Sequence, residues 1–204
     1  MGTDCAPYLA NLYLFSYEFR FMNNQLNTKN FDRLYKFNRS CRYLDDLLLI
    51  NNDNTMEKFK NSIYPNELAI SSDDKSDQQV NYLDLNLEIK NHSIIHKIYD
   101  KRDKFAFPII NFPNLTGNVP KSHSYGVFTA QLIRYARGCQ LYTDFKSRVQ
   151  TLFDRLVNQH FKKSKLIKTY QKFLLKYSHL VKKYGKPILS NIIEYSWLTR
   201  AIYF

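Results

Sequence analysis

The spacing of the apolar residues changes partway along the chain. Leu83, Leu85, Leu87 and Ile89 alternate with Asp84, Asn86 and Glu88, the two-residue repeat of a half-buried strand over Tyr82–Ile89. Further on, apolar residues recur every three or four positions. Tyr125, Phe128, Leu132 and Tyr135 mark one helix, and Phe145, Val149, Leu152 and Leu156 a second. Leu166, Tyr170, Phe173, Tyr177 and Val181 mark a third, which stops at Gly185-Lys186-Pro187. Strands that give way to helices predict an α+β chain, with helix and antiparallel hairpins in front and an all-helical bundle behind.

Other elements follow from the same logic. Tyr8, Leu12, Phe15, Phe19, Met22 and Leu26 form one apolar face of a helix over residues 5–27, with Pro7 where a first turn tolerates it. Arg42 to Ile50 places two short apolar runs around Asp45 and Asp46, a hairpin with the acids at or beside its turn. Asp-Asp is not a favoured hairpin loop, and a local rule broken between two good strands often marks a functional site. Residues 53–63 predict a short helix with Met56, Phe59 and Ile63 on one face, ended by Pro65. Asn91-His92-Ser93 is a turn leading to a strand over Ile94–Tyr99. Pro108, Pro113, Gly117 and Pro120 mark a linker. The expected organisation is therefore 1–104, a linker at 105–121, a basic helical region at 122–186 and an apolar, aromatic tail at 187–204.

Charge narrows the function. Residues 1–120 carry 14 Lys+Arg against 15 Asp+Glu, whereas residues 121–204 carry 16 against 3. A half with a net charge of +13 predicts a polyanionic partner, nucleic acid or an anionic membrane surface. Lys165, Lys168, Lys172 and Lys176 fall on one helix face, extended by Lys162, Lys163, Lys182 and Lys183. Such a stripe suits a phosphate backbone, and Arg134 and Arg137 add candidate backbone contacts. The bland alternative is a solvated helix face. Tyr125 and Tyr135 are expected in the core.

The composition, 44% apolar, suits a real core of one large or two small domains. There is no run of about 18 uncharged apolar residues and no signal-peptide pattern, so no membrane partner is expected. Cys5, Cys41 and Cys139 are too few and too scattered for a disulfide framework, which predicts a reducing compartment, nucleus or cytoplasm. His92 and His96 lack the further ligands of a zinc site, and no nucleophilic triad, phosphate loop or dinucleotide fingerprint is present.

Asp45 and Asp46 are the strongest chemical signal. Adjacent carboxylates on a rigid hairpin suit a hard divalent cation bound through oxygen, the ion that phosphoryl and nucleotidyl transfer require. Asp45 is the expected principal ligand and Asp46 the secondary one. Taken alone, the pair is also an ordinary acidic turn.

Around that pair the chain resembles the reverse transcriptases. Arg42-Tyr43-Leu44-Asp45-Asp46 is similar to their metal-binding Tyr-x-Asp-Asp box. Met1-Gly2-Thr3-Asp4-Cys5-Ala6-Pro7 resembles the end of their glycine-containing box, and Tyr82-Leu83-Asp84-Leu85 their primer-grip hairpin. More narrowly, the runs RYLDDLLLI, IYPNELAI, YLDLNLEI, IYDKRDKFAFPIINFP and YGVFTAQLIRYARGC look like the reverse transcriptases of Penelope-like retroelements.

The resemblance implies the later part of a polymerase palm followed by a basic helical thumb. It implies magnesium at Asp45 and Asp46, with Gly2 and Tyr43 near template or incoming nucleotide. Tyr82, Leu83 and Leu85 would sit by the primer end, and Lys75 near the leaving pyrophosphate. RNA or DNA template-primer and deoxynucleotides are the implied partners. The family's other metal-binding Asp lies upstream of the glycine box, and only Met1 precedes Gly2 here. The expectation is a fragment of an RNA-directed DNA polymerase with an incomplete two-ion site; the alternative is a non-catalytic nucleic-acid-binding remnant. Oligomeric state is left open.

Overall fold

The computed structural model describes residues 4–50, 55–71, 78–107 and 109–185. Gly2, Lys75 and the tail 187–204 lie outside these residues. The chain is α+β and forms two compact units, Met1–Lys75 and Ser76–Phe204. The division falls ahead of the expected linker at 105–121, because the second sheet packs with the helices that follow it.

In the first unit, α1 (Ala6–Asn27) leads to α2 (Phe31–Phe37), the hairpin β1 (Ser40–Tyr43) and β2 (Asp46–Leu49), and α3 (Thr55–Ile63). Its core is Phe21, Met56, Ile63 and Tyr64, with Leu14, Tyr17, Met22, Phe37, Leu47, Leu49, Phe59 and Ile70 packed around it. The ring of Phe21 meets that of Phe37 edge-on at 4.9 Å, a favoured aromatic geometry. Of the α1 face picked out by spacing, Met22 packs on this core but the rest does not. Tyr8, Leu12, Phe15, Phe19 and Leu26 are all more than half exposed, from 52% to 77%. A helix's apolar stripe selects a face but not its partner, and here the two-stranded hairpin and α3 cover the side bearing Leu14, Phe21 and Gln25.

The second unit opens with β3 (Gln79–Tyr82), β4 (Leu85–Lys90) and β5 (Ser93–Ile98), an antiparallel sheet in the order β3-β4-β5. Four helices follow: α4 (Lys121–Gly138), α5 (Tyr142–Asn158), α6 (Lys163–Lys176) and the single turn α7 (Ser178–Val181). The expected strand Tyr82–Ile89 is corrected on two points. The chain turns at Leu83-Asp84, so Tyr82 closes β3 opposite Leu85. Within β4 the most buried residue is polar: Asn86, 7% exposed, is satisfied by Gln79 at 3.0 Å and Asn81 at 2.8 Å. Paired amides of this kind remove the cost of burying Asn86, which period alone does not reveal.

The helical periods hold. Phe128 and Leu132 of α4, Phe145, Val149, Leu152 and Leu156 of α5, and Leu166 and Phe173 of α6 are at most 1% exposed. The α6 helix ends at Lys176, earlier than the Val181 limit of its period; Tyr177 leaves the helical region at φ −114°, ψ 31°. The sheet is fastened to the bundle through β5. Ile98 is 2% exposed in the helical core, and a Cβ on Gly138 would sit 2.3 Å from Ile98 Cδ1, so the Ile98 side chain packs into the space that the glycine leaves open. The Gln140 amide donates to the His96 carbonyl at 2.9 Å, and Arg148 Nη2 to the Ile98 carbonyl at 2.9 Å.

Beyond β5, Asp100 and Asp103 collect three arginines. Arg102 grips Asp100 with both Nε and Nη2 at 2.7 Å. Arg155 Nη2 donates to Asp103 at 3.1 Å, and Arg148 also pairs with Asp103. Burial alone would raise the Asp100 pKa, but hydrogen bonds from Arg102 and the charges of Arg102 and Arg155 override it and hold it at about 2. A depressed carboxyl pKa adds stability above its unfolded value and loses it on protonation. Acid titration of the unit should therefore weaken it from about pH 4 down to about pH 2. The Asp100→Asn variant should flatten that limb when melting midpoints are compared across pH; an unchanged limb would assign the acid sensitivity to other groups.

Candidate functional site

The hairpin that carries Asp45 is built by a two-residue loop. Tyr43 pairs with Asp46, leaving Leu44 and Asp45 as the turn. Leu44 takes φ 53°, a left-handed conformation that costs a leucine about 1–2 kcal/mol. The second unit repeats the design. Tyr82 pairs with Leu85 around Leu83-Asp84, and Leu83 has φ 54°. Both loops therefore read Tyr-Leu-Asp with the leucine strained. The third hairpin uses Asn91 and His92 at φ 49° and 61°, of which Asn suits positive φ far better.

The first turn is held from below by charge. Arg42 makes a two-pronged pair with Glu18 of α1, Nε to Oε1 at 2.6 Å and Nη2 to Oε2 at 3.2 Å. Its Nη1 reaches Asn11 Oδ1 at 2.8 Å and the Leu44 carbonyl at 3.1 Å. Tyr64 donates its hydroxyl to Glu18 at 2.7 Å. Burial, that hydrogen bond and the Glu18 charge push the Tyr64 phenol well above its ordinary range, so it stays a donor. A largely buried guanidinium thus joins α1 to the carbonyl one residue before Asp45, with 14% of its side chain exposed against 28% for Glu18. Arg42→Met should destabilise the unit by about 2–3 kcal/mol, below the full value for a buried pair because Glu18 keeps some solvent. Urea unfolding, together with faster amide exchange over 40–49, reads this out. Exchange there unchanged from wild type would contradict the tie.

Asp45 and Asp46 are both exposed, and Tyr43 is 58% exposed. Among the described residues, no group of three or more His, Cys, Asp or Glu gathers to hold a metal ion. Two adjacent, accessible carboxylates nevertheless fit magnesium, which commonly keeps several waters and binds through one or two carboxylates plus substrate phosphates. When bound, such an ion neutralises charge developing on transferring phosphate oxygens.

The basic half sorts into two sets. Its arginines are largely committed internally. Arg134 pairs with Asp84 at 3.0 Å, joining α4 to the Leu83 turn, and Arg148 and Arg155 are held by Asp100 and Asp103. Arg134, expected as a nucleic-acid contact, thus has a protein partner, while Arg137 is exposed. The α6 lysines differ: Lys165, Lys168, Lys172 and Lys176 are all exposed, and none forms an ion pair among the described residues. Lys165 Nζ lies 5.6 Å from the Tyr125 ring and Lys176 Nζ 5.6 Å from the Tyr177 ring. Tyr125 itself packs on the core and accepts the Lys162 amide at 2.9 Å, and Tyr135 is 4% exposed. Neither tyrosine is a free stacking platform.

Leu83 is 42% exposed on its turn, and Tyr82 is half-buried beside it. The internal pairing of the arginines was not visible in the sequence, because its acids lie 45 to 55 residues away; the surplus of charge in 121–204 was.

No protein-family model, no curated protein and no solved structure matches this chain. No helix among the described residues is long and apolar enough to cross a membrane.

Proposed function

We propose that this chain is part of a reverse-transcriptase-like polymerase: it binds template-primer through the lysine face of α6 and supplies Asp45 and Asp46 to a magnesium site for nucleotidyl transfer. The observation that carries this reading is the Tyr43-Leu44-Asp45-Asp46 hairpin, a strained two-residue turn that keeps both carboxylates in solvent while Arg42 and Glu18 anchor it. Strain persists where surrounding structure over-determines it, and such places cluster at functional sites. Asp45 and Asp46 would hold the ion, and Tyr43, exposed on the same strand end, would line the approach of nucleotide. Lysine rather than arginine on α6 suits contact with phosphate as a point charge, independent of base sequence.

Manganese in place of magnesium tests the metal half of the proposal. Paramagnetic broadening should centre on the amides of 43–47 and disappear in Asp45→Asn. Broadening elsewhere, or broadening that survives the substitution, would sink it.

A second reading keeps only the nucleic-acid binding. It is favoured by the absence, among the described residues, of a third ligand near the Asp pair. It predicts binding that ignores Asp45 and shows no metal-dependent chemistry.

A further inference from the structure

A cavity of about 510 Å³ opens in the first unit, on the side of α1 that faces α2 and α3, and it has no part in the reading above. Its walls bring two arginines together with a buried apolar floor. Phe21 and Ile63, 7% and 5% exposed, form that floor. Arg20 lies over the Tyr17 ring at 5.0 Å, and Arg33 over the Phe59 ring at 4.2 Å. All four of these side chains line the cavity, as do Asn24, Gln25 and Ser62.

Three features separate this cavity from an ordinary surface dent. First, its lining contains no carboxylate, although it contains two guanidiniums. The nearest acid on the same helix, Glu18, is already held by Arg42 and Tyr64. Second, among the described residues each arginine is oriented by an aromatic ring and one weak polar contact, which leaves most of its donors without a protein acceptor there. Arg20 Nε donates to the Ser16 carbonyl at 3.2 Å, and Arg33 Nη1 to Gln25 Oε1 at 3.4 Å. A guanidinium has five N–H donors, and one stacked on a ring presents its fork edgewise with little further ordering cost. Third, Gln25 is a buried polar side chain, 6% exposed, set in the wall beside Arg33. Neither arginine forms an ion pair among the described residues.

We propose that this cavity is a binding site for a small organic phosphate, its dianionic group held by Arg20 and Arg33 and its apolar body laid on Phe21 and Ile63. Two forked cations match a phosphate's several acceptor oxygens better than one carboxylate's two. The apolar floor separates this ligand from inorganic phosphate, because transfer of a ring from water onto buried carbon adds affinity that a bare ion lacks. Asn24 and Ser62 supply neutral polar contacts at the rim.

The test is a titration of the full chain with phenyl phosphate, followed through the amide and side-chain resonances of residues 17–33 and 59–63. Saturable shifts confined to those residues are expected, with inorganic phosphate binding at least several-fold more weakly. Arg33→Gln and Arg20→Gln should each weaken phenyl phosphate by about 10-fold or more, the fold-change a lost charge-assisted hydrogen bond produces. Gln at Lys165, Lys168, Lys172 and Lys176 together should leave it unchanged. Arg20 is exposed, so its variant should retain the wild-type spectrum elsewhere, and Arg20→Lys, which keeps charge but not the fork, should fall between the two. No saturation at about 10 mM ligand, a range that bounds even weak small-ligand binding, would overturn the assignment. So would equal affinity for inorganic phosphate, affinity unaffected by both arginine variants, or loss of binding in the lysine variant.

Discussion

Replacing Lys165, Lys168, Lys172 and Lys176 together with glutamine should cut affinity for duplex nucleic acid by on the order of 10²–10³-fold at low salt and flatten its salt dependence. Each phosphate neutralised releases condensed counterion, so four contacts should contribute a slope of about −3 to −4 in log affinity against log salt. All four lysines are exposed on one face of α6, and the acids Asp84, Asp100 and Asp103 are engaged by arginines instead. The charge-matched control removes Lys29, Lys58, Lys97 and Lys101, which share no helix face, and should change the slope far less. Fluorescence anisotropy from about 50 to 200 mM salt covers the range in which such contacts weaken. A slope unchanged by the α6 substitutions would place the binding surface elsewhere.

Phe145→Ala should destabilise the second unit by about 3–5 kcal/mol. The ring is 0% exposed at the start of α5. It stacks on Tyr184 at 5.3 Å between centroids, and Tyr142 lies 6.5 Å away. Tyr184 in turn donates to the Cys139 carbonyl at 2.6 Å, just past the end of α4. Removing the ring opens a cavity where the end of α4, the start of α5 and the segment after α7 converge. That junction cannot collapse freely, because the Tyr184 hydrogen bond fixes one wall. Leu175→Ala on α6 is the comparison: at 72% exposed it should cost within about 0.5 kcal/mol. Urea denaturation monitored in the second unit distinguishes the two. A loss below about 1 kcal/mol for Phe145→Ala would mean the site repacks, contrary to this account of the core.

How much of this was legible beforehand depended on the range of the interactions involved. The α4, α5 and α6 helices were readable because each buries a three-and-four-spaced stripe, and Phe128, Phe145 and Leu166 sit where that spacing puts them. The Asp45 hairpin was readable because its flanking runs are apolar and its acids polar. Its loop type was not, since Leu44 is a poor residue for positive φ, and the hydrogen bond from Arg42 to its carbonyl comes from outside the turn. For β4 the reason differs. Alternation over 82–89 is the same for one strand or for a strand, a turn and a second strand, and only pairing of Tyr82 with Leu85 separates them. In α1, spacing found a coherent apolar stripe, but burial went to Leu14 and Phe21, because partner elements rather than period choose the face. At the candidate site the residue types were legible, while the Arg42–Glu18–Tyr64 support and the pairing of Arg134 with Asp84 were not. Those contacts join residues 24 to 50 positions apart.

Primer extension on an RNA template, with magnesium and deoxynucleotides, compares the chain with its Asp45→Asn variant and tests the polymerase proposal most directly. As part of a polymerase acting through Asp45, the chain should lose any magnesium-dependent extension in the variant, with lysine-dependent binding retained in both. Extension that persists without the Asp45 carboxylate, or nucleic-acid binding that falls with it, would contradict that reading.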